Sequence, residues 1–103
     1  MNPFASIGNP IADRIVEATA EISEMSVEDL ISGRRDVVSY RARAIATLLI
    51  RQNTKLSTSE IGRIMNRDHA TVLHAFKRAE QMLEQYPEMH KVCAQIMKKA
   101  ENK

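Results

Sequence analysis

The chain has 103 residues, the size of one domain, with no tryptophan, two tyrosines and two phenylalanines. A core built from Ile, Leu, Val, Met and Ala favours helices over a β-sandwich. The lone cysteine, Cys93, excludes an internal disulfide and suits a reducing compartment; its apolar helical setting marks it as a small buried hydrophobe, not a nucleophile.

The net charge of +2 is unevenly spread. Residues 1–31 hold six acidic residues and one basic residue, residues 32–78 ten basic and three acidic, and residues 79–103 four of each. The positive excess therefore lies in the middle of the chain, as a polyanion-binding surface needs. The opening MNPFASIGNP lacks the basic start and long apolar run of a signal peptide. The longest apolar stretch, Ala44 to Ile50, is too short to span a bilayer. A soluble, cytoplasmic protein without membrane contact is expected.

In chain order, residues 1–9 read as a flexible arm. Pro10 opens a first helix with Asn9 as N-cap, and Ile11, Ile15, Ala18 and Ile22 form its apolar stripe. Ser26 begins a second N-terminal signature, for a short helix through Val27, Leu30 and Ile31 that Gly33 ends. Arg34 to Val38 reads as a loop. A third helix starts near Ser39 and turns Ala42, Ile45, Ala46, Leu49 and Ile50 inward, with Arg41, Arg43 and Arg51 on other faces. Gln52 to Lys55 is a connection.

Ser57 and Glu60 then have capping-box spacing, followed by Ile61, Ile64 and Met65 on one face. After Asn66-Arg67-Asp68 a second pattern places Val72, Ala75, Phe76, Ala79 and Leu83 together and runs to about Gln85. Two short helices around a tight turn, with basic residues nearby, make a helix-turn-helix. Pro87 opens a last helix with the stripe Met89, Val92, Cys93, Ile96, Met97 and Ala100, and the end frays over residues 101–103. An all-α domain of about six helices over residues 10–100 is the expectation.

Catalysis finds little support. There is no GxxxxGK[ST] loop for a nucleotide, and His69 and His74 are five apart, not the four of a two-histidine zinc face. No cofactor or metal is implied, and the chain reads as a non-enzyme. DNA binding has a physical account instead. A recognition helix offers its first residues to the major groove, here Asp68, His69, Ala70 and Thr71. Asp68 can accept from a cytosine amino group, His69 can bond a base edge, and Ala70 can touch a thymine methyl. Thr71 reaches a phosphate or donates to a base. The plain alternatives are that Asp68 is an N-cap and His69 an exposed helix-start residue. His74 lies one turn deeper, on the packing or phosphate side. Arg34 and Arg35 form a basic loop suited to a minor groove, or else a solvated pair at a helix C-terminus. Arg34, Arg43, Arg51, Lys55, Arg67, Lys77 and Arg78 are placed as backbone contacts, which set affinity and register.

Ile61 to Ala75, IGRIMNRDHATVLHA, resembles the signature of the C-terminal DNA-binding domain of the bacterial replication initiator DnaA, and the likeness reaches back to VEDLISGRR (Val27–Arg35). The resemblance implies a Trp repressor-like six-helix architecture that reads DnaA boxes in double-stranded DNA. It implies base contacts from Asp68, His69 and position 70, a backbone contact from Thr71, and Arg35 in the minor groove. Arg43 and Arg51 match positions that face phosphates. Ala70 stands where the family usually has threonine, and Asp36 and Val37 replace polar and basic residues. A full initiator also carries an ATPase module and an amino-terminal domain, and a chain starting at Met1 leaves no room for either. The expectation is thus a free-standing box binder without ATPase activity that modulates replication initiation or transcription. The alternatives are a ligand-responsive Trp repressor-like regulator, or a protein-interaction module using the acidic first helix or the last helix.

Overall fold

The computed structural model of the chain describes residues 9–102. The arm expected before residue 9 and the final residue, Lys103, lie outside them. Among the described residues there are six α-helices and no strand: α1 (Pro10–Ile22), α2 (Val27–Ile31), α3 (Val37–Asn53), α4 (Thr58–Met65), α5 (His69–Gln85) and α6 (Met89–Glu101). The all-α expectation holds, and α4, its turn and α5 form the helix-turn-helix.

Local chemistry starts five of the helices. Side chains of Asn9, Ser26, Asp36, Ser57 and Asp68 each accept from a backbone N–H three residues on. That satisfies donors that a helix start otherwise leaves open. At Ser57 the box is reciprocal, because Glu60 Oε1 accepts from the Ser57 N–H at 2.9 Å. α6 has no side-chain cap; Tyr86-Pro87-Glu88 form a turn, and the helix proper opens at Met89, two residues later than Pro87 suggested. It then continues through Lys98 and Lys99 to Glu101, where fraying was expected.

α3 is the axle. It packs against α1, α2, α4 and α5, and residues 42–50 are buried all round. It begins at Val37, not near Ser39, because the Asp36 carboxylate accepts from both the N–H and the hydroxyl of Ser39, at 3.1 and 2.9 Å. It also absorbs Gln52 and Asn53, read from sequence as a connection. α1 lies against both α3 and α6, so its buried face is wider than one stripe. Ala12, Val16, Thr19 and Ala20 are buried beside Ile15 and Ala18, while Ile11 remains largely exposed. The core that results holds α5 rigidly through Val72, Phe76, Ala79 and Met82.

Candidate nucleic-acid interface

The start of α5 is fixed by the turn before it. Asn66 ends α4 in the left-handed region at φ 55°, which asparagine tolerates better than most residues. The Arg67 N–H donates to Gly62 O at 2.8 Å. Gly62 is needed for this closure, since a Cβ there would lie 2.5 Å from the Arg67 carbonyl oxygen. Asp68 then caps α5, its Oδ1 accepting from the Thr71 N–H at 2.7 Å. Hydrogen bonding from Thr71, hydroxyl first and then backbone, holds the Asp68 carboxyl below the usual range. An ionised Asp68 has acceptor capacity beyond the cap, so capping and base reading are compatible.

His69, Ala70 and Thr71 are all exposed in the first turn of α5. Leu73 and Lys77 follow His69 at four-residue steps, and both are exposed. The outer ridge of α5 thus carries His69, Leu73 and Lys77 over about 12 Å. Leu73, 47 % exposed, is a member of this ridge that sequence reasoning missed. Its spacing from His69 was the available signal. His74 is exposed and Arg78 half-buried on the adjoining flank.

The basic residues divide into two groups. Arg35 is exposed and has no hydrogen bond or ion pair among the described residues. Lys55 and Lys77 are exposed too. Arg51 is exposed, its guanidinium lying 4.6 Å from the Phe76 ring centroid. Arg34 is exposed but paired with Asp29 at 3.4 Å and Asp36 at 3.1 Å. Arg43 and Arg67 depart from the expected phosphate contacts. Arg43 is buried, with Nη1 donating to Leu30 O at 3.3 Å and Nη2 to Arg34 O. Burial, and then the neighbouring Arg67, push its pKa down. Arg67 is half-buried; its Nη1 donates to Ile31 O at 3.1 Å and Asn66 O at 2.8 Å, and its Nη2 to Ser32 O. Both guanidiniums point into the protein and serve backbone carbonyls.

Between α3 and the start of α5 lies a cleft of about 350 Å³. Tyr40, Arg43, Ala44 and Thr47 line its α3 side, one helix face at three- and four-residue steps. Ala70, Thr71, His74 and Ala75 line the α5 side, and Arg67 and Met65 its end. The structure therefore gathers Arg43, Arg67, Ala70 and Thr71 around one concavity and leaves Arg51, Lys55, Lys77 and Arg78 outside its lining. Tyr40 is a further member that sequence reasoning passed over. Cys93 is half-buried, and burial pushes its thiol pKa up, which suits packing. No helix among the described residues is long and apolar enough to cross a membrane.

A helix-turn-helix carrying Arg67-Asp68-His69 at the head of α5, with Arg35 on an adjacent loop, can be compared with known families. Residues 12–79 match the family model described as the bacterial DnaA protein helix-turn-helix. The chain belongs to this DnaA family. It is 33 % identical over 97 residues to the chromosomal replication initiator protein DnaA of Picosynechococcus sp., covering 93 % of this chain and 22 % of that protein. To the initiator of the same name from Lachnoclostridium phytofermentans it is 34 % identical over 88 residues, covering 84 % of this chain and 19 % of that one. It therefore spans about a fifth of the length of these DnaA relatives. A solved structure described as a DNA replication initiation factor superposes with a TM-score of 0.73 at 33 % identity, over 88 % of this chain and 29 % of that one.

Proposed function

We propose that this DnaA-type domain binds double-stranded DNA sequence-specifically at DnaA-box-like sites and acts in the control of replication initiation or transcription. The observation that carries this reading is the exposed head of α5, where Asp68, His69 and Ala70 stand free of the core behind a turn closed by Gly62. In the major groove, Asp68 accepts from a cytosine amino group and His69 bonds a base edge. Ala70 and Leu73 supply apolar surface for thymine methyls. Arg35, with no hydrogen bond or ion pair among the described residues, enters the neighbouring minor groove. Arg51, Lys55, Thr71, Lys77 and Arg78 serve phosphates and set register, and Arg34 joins them by exchanging its exposed ion pairs for a phosphate.

The chain contains no GxxxxGK[ST] stretch, so nucleotide hydrolysis has no part in this reading. Selection from a pool of random duplexes tests it. The domain should enrich one short site resembling a DnaA box, with weaker discrimination at the base pair facing Ala70, where a methyl contact acts without a hydroxyl. Enrichment of no site would overturn the proposal. The cleft beneath Ala70 favours one second reading, a small ligand that tunes DNA binding. A ligand seated there should raise the melting temperature and shift DNA affinity together.

A further inference from the structure

We infer that Arg67 and Arg43 act as positioning residues that lock the minor-groove loop to the major-groove helix, so that the two readers engage DNA as one rigid unit. The inference rests on the proposed DNA-binding function and on the place of Arg35 within it.

α2 has five residues, too few to hold its own geometry, and its last carbonyls have no partners within the helix. Arg43 and Arg67 supply them. Arg43 serves the carbonyls of Leu30 and Arg34, and Arg67 those of Ile31 and Ser32. Within residues 30–34, only the Gly33 carbonyl is left out of this grip. The next residue is Arg35. On the other side, Arg67 immediately precedes Asp68 and His69, and its Nη1 also serves Asn66 O within the turn. One guanidinium thus spans from the turn of the reading head to the root of the arginine loop, 36 residues earlier in sequence.

The chemistry demands arginine. A planar guanidinium presents several N–H groups in a fixed fork and can hold two carbonyls at once, whereas an ammonium is a single point charge on a flexible stem. Neither Arg43 nor Arg67 forms an ion pair among the described residues. Their hydrogen bonds all go to backbone carbonyls, which suits cations at a helix C-terminus, and the repulsion that Arg67 exerts on Arg43 is opposed by the nearby Asp36. The ion pairs of Arg34 with Asp29 and Asp36 are exposed and contribute little rigidity by comparison.

A double-mutant cycle on a DnaA-box duplex tests this. Affinity would be measured by fluorescence anisotropy for the wild type, Arg35→Ala, Arg67→Lys and the pair. Arg67→Lys keeps its positive charge, so a direct phosphate contact would survive it, but the fork would not. We expect Arg67→Lys to weaken box binding roughly tenfold, and Arg35→Ala to cost less than about twofold on top of it while costing far more in the wild type. Circular dichroism would check folding, and Arg43→Lys should give the same pattern from the other end of the loop.

Arg67→Lys binding like the wild type, or an Arg35→Ala penalty equal in both backgrounds, would overturn the inference. So would unfolding of both lysine variants, since the pair would then hold the fold and not the loop. If the wild type prefers the box and the cycle is additive, only the lock falls. If the wild type shows no box preference, the proposed function falls with it.

Discussion

At the scale of single residues, the proposed function separates base readers from phosphate anchors. His69 stands at the tip of α5 and Lys77 two turns along the same ridge. His69→Ala should cost about 1–3 kcal/mol on the box and narrow the gap between box and mismatched duplex. Lys77→Ala should weaken every duplex alike and reduce the salt slope by about one. Competition titrations on a panel of single-base variants check both, and a change of sequence preference in Lys77→Ala would show the sorting to be wrong. Ala70→Thr adds a hydroxyl at an exposed position in the first turn of α5, and if that position reads DNA as proposed the same panel should show sharper discrimination at one base pair.

The roles of the arginines were the least legible part of the sequence. Arg34, Arg35, Arg43 and Arg67 look alike as letters in a basic stretch. What distinguishes them is whether a carboxylate, a carbonyl or solvent lies opposite, and that depends on how α2 docks on α3 and meets Arg67 in the turn after α4. Leu73 and Tyr40, by contrast, sat at helical spacing from residues already singled out.

At the scale of elements, the helix starts were legible because caps are local: Asn9, Ser26, Ser57 and Asp68 each bond within three residues. Asp36 was not recognised as a cap, since Val37 and Val38 resemble a strand or loop and remain exposed in the helix. The width of the buried face on α1 was hidden too, because two neighbours cover it.

The turn makes a sharp prediction. Gly62→Ala places a methyl against the Arg67 carbonyl oxygen, an atom of the backbone that cannot move without opening the turn. A loss of about 1–3 kcal/mol in thermal or denaturant unfolding is expected, together with weaker box binding. Wild-type stability in Gly62→Ala would mean that the turn is looser than described.

The caps also set an acid response. Asp36 is held below its usual pKa by the backbone N–H and then the hydroxyl of Ser39, Glu60 by the Ser57 backbone, and Asp68 by Thr71. A carboxyl with a lower pKa when folded stabilises the fold above its unfolded value, and that contribution is lost as pH falls through the folded value. Asp13 works the other way, its pKa raised by burial and then by Glu17. With three groups against one, the melting temperature should hold from pH 7 to about 5 and fall below about pH 4. Asp68→Asn, which can cap without titrating, should make that fall shallower in circular-dichroism melts.

At the scale of the molecule, charge and fold agree. The acidic first part of the chain forms α1 and α2, and the basic middle forms α3, α4 and α5 with the loops that flank them. Part of the acidity of α1 is matched across the bundle, where Lys99 of α6 lies 2.9 Å from Glu21. α1 packs on both α6 and α3, and α6 also meets α5. The positive excess therefore belongs to the elements that carry the helix-turn-helix, and a DnaA-type domain spanning about a fifth of its relatives has its own electrostatic footprint.

The most direct test of box-selective binding is a titration of a DnaA-box duplex and its scrambled counterpart across salt concentrations. With the phosphates engaged by Arg34, Arg51, Lys55, Lys77 and Arg78, the logarithm of box affinity should fall with a slope of about −4.5 against the logarithm of salt. The box should stay favoured over the scrambled duplex by at least about a thousandfold at physiological salt. Equal affinity for both duplexes, or no binding at low salt, would contradict the account.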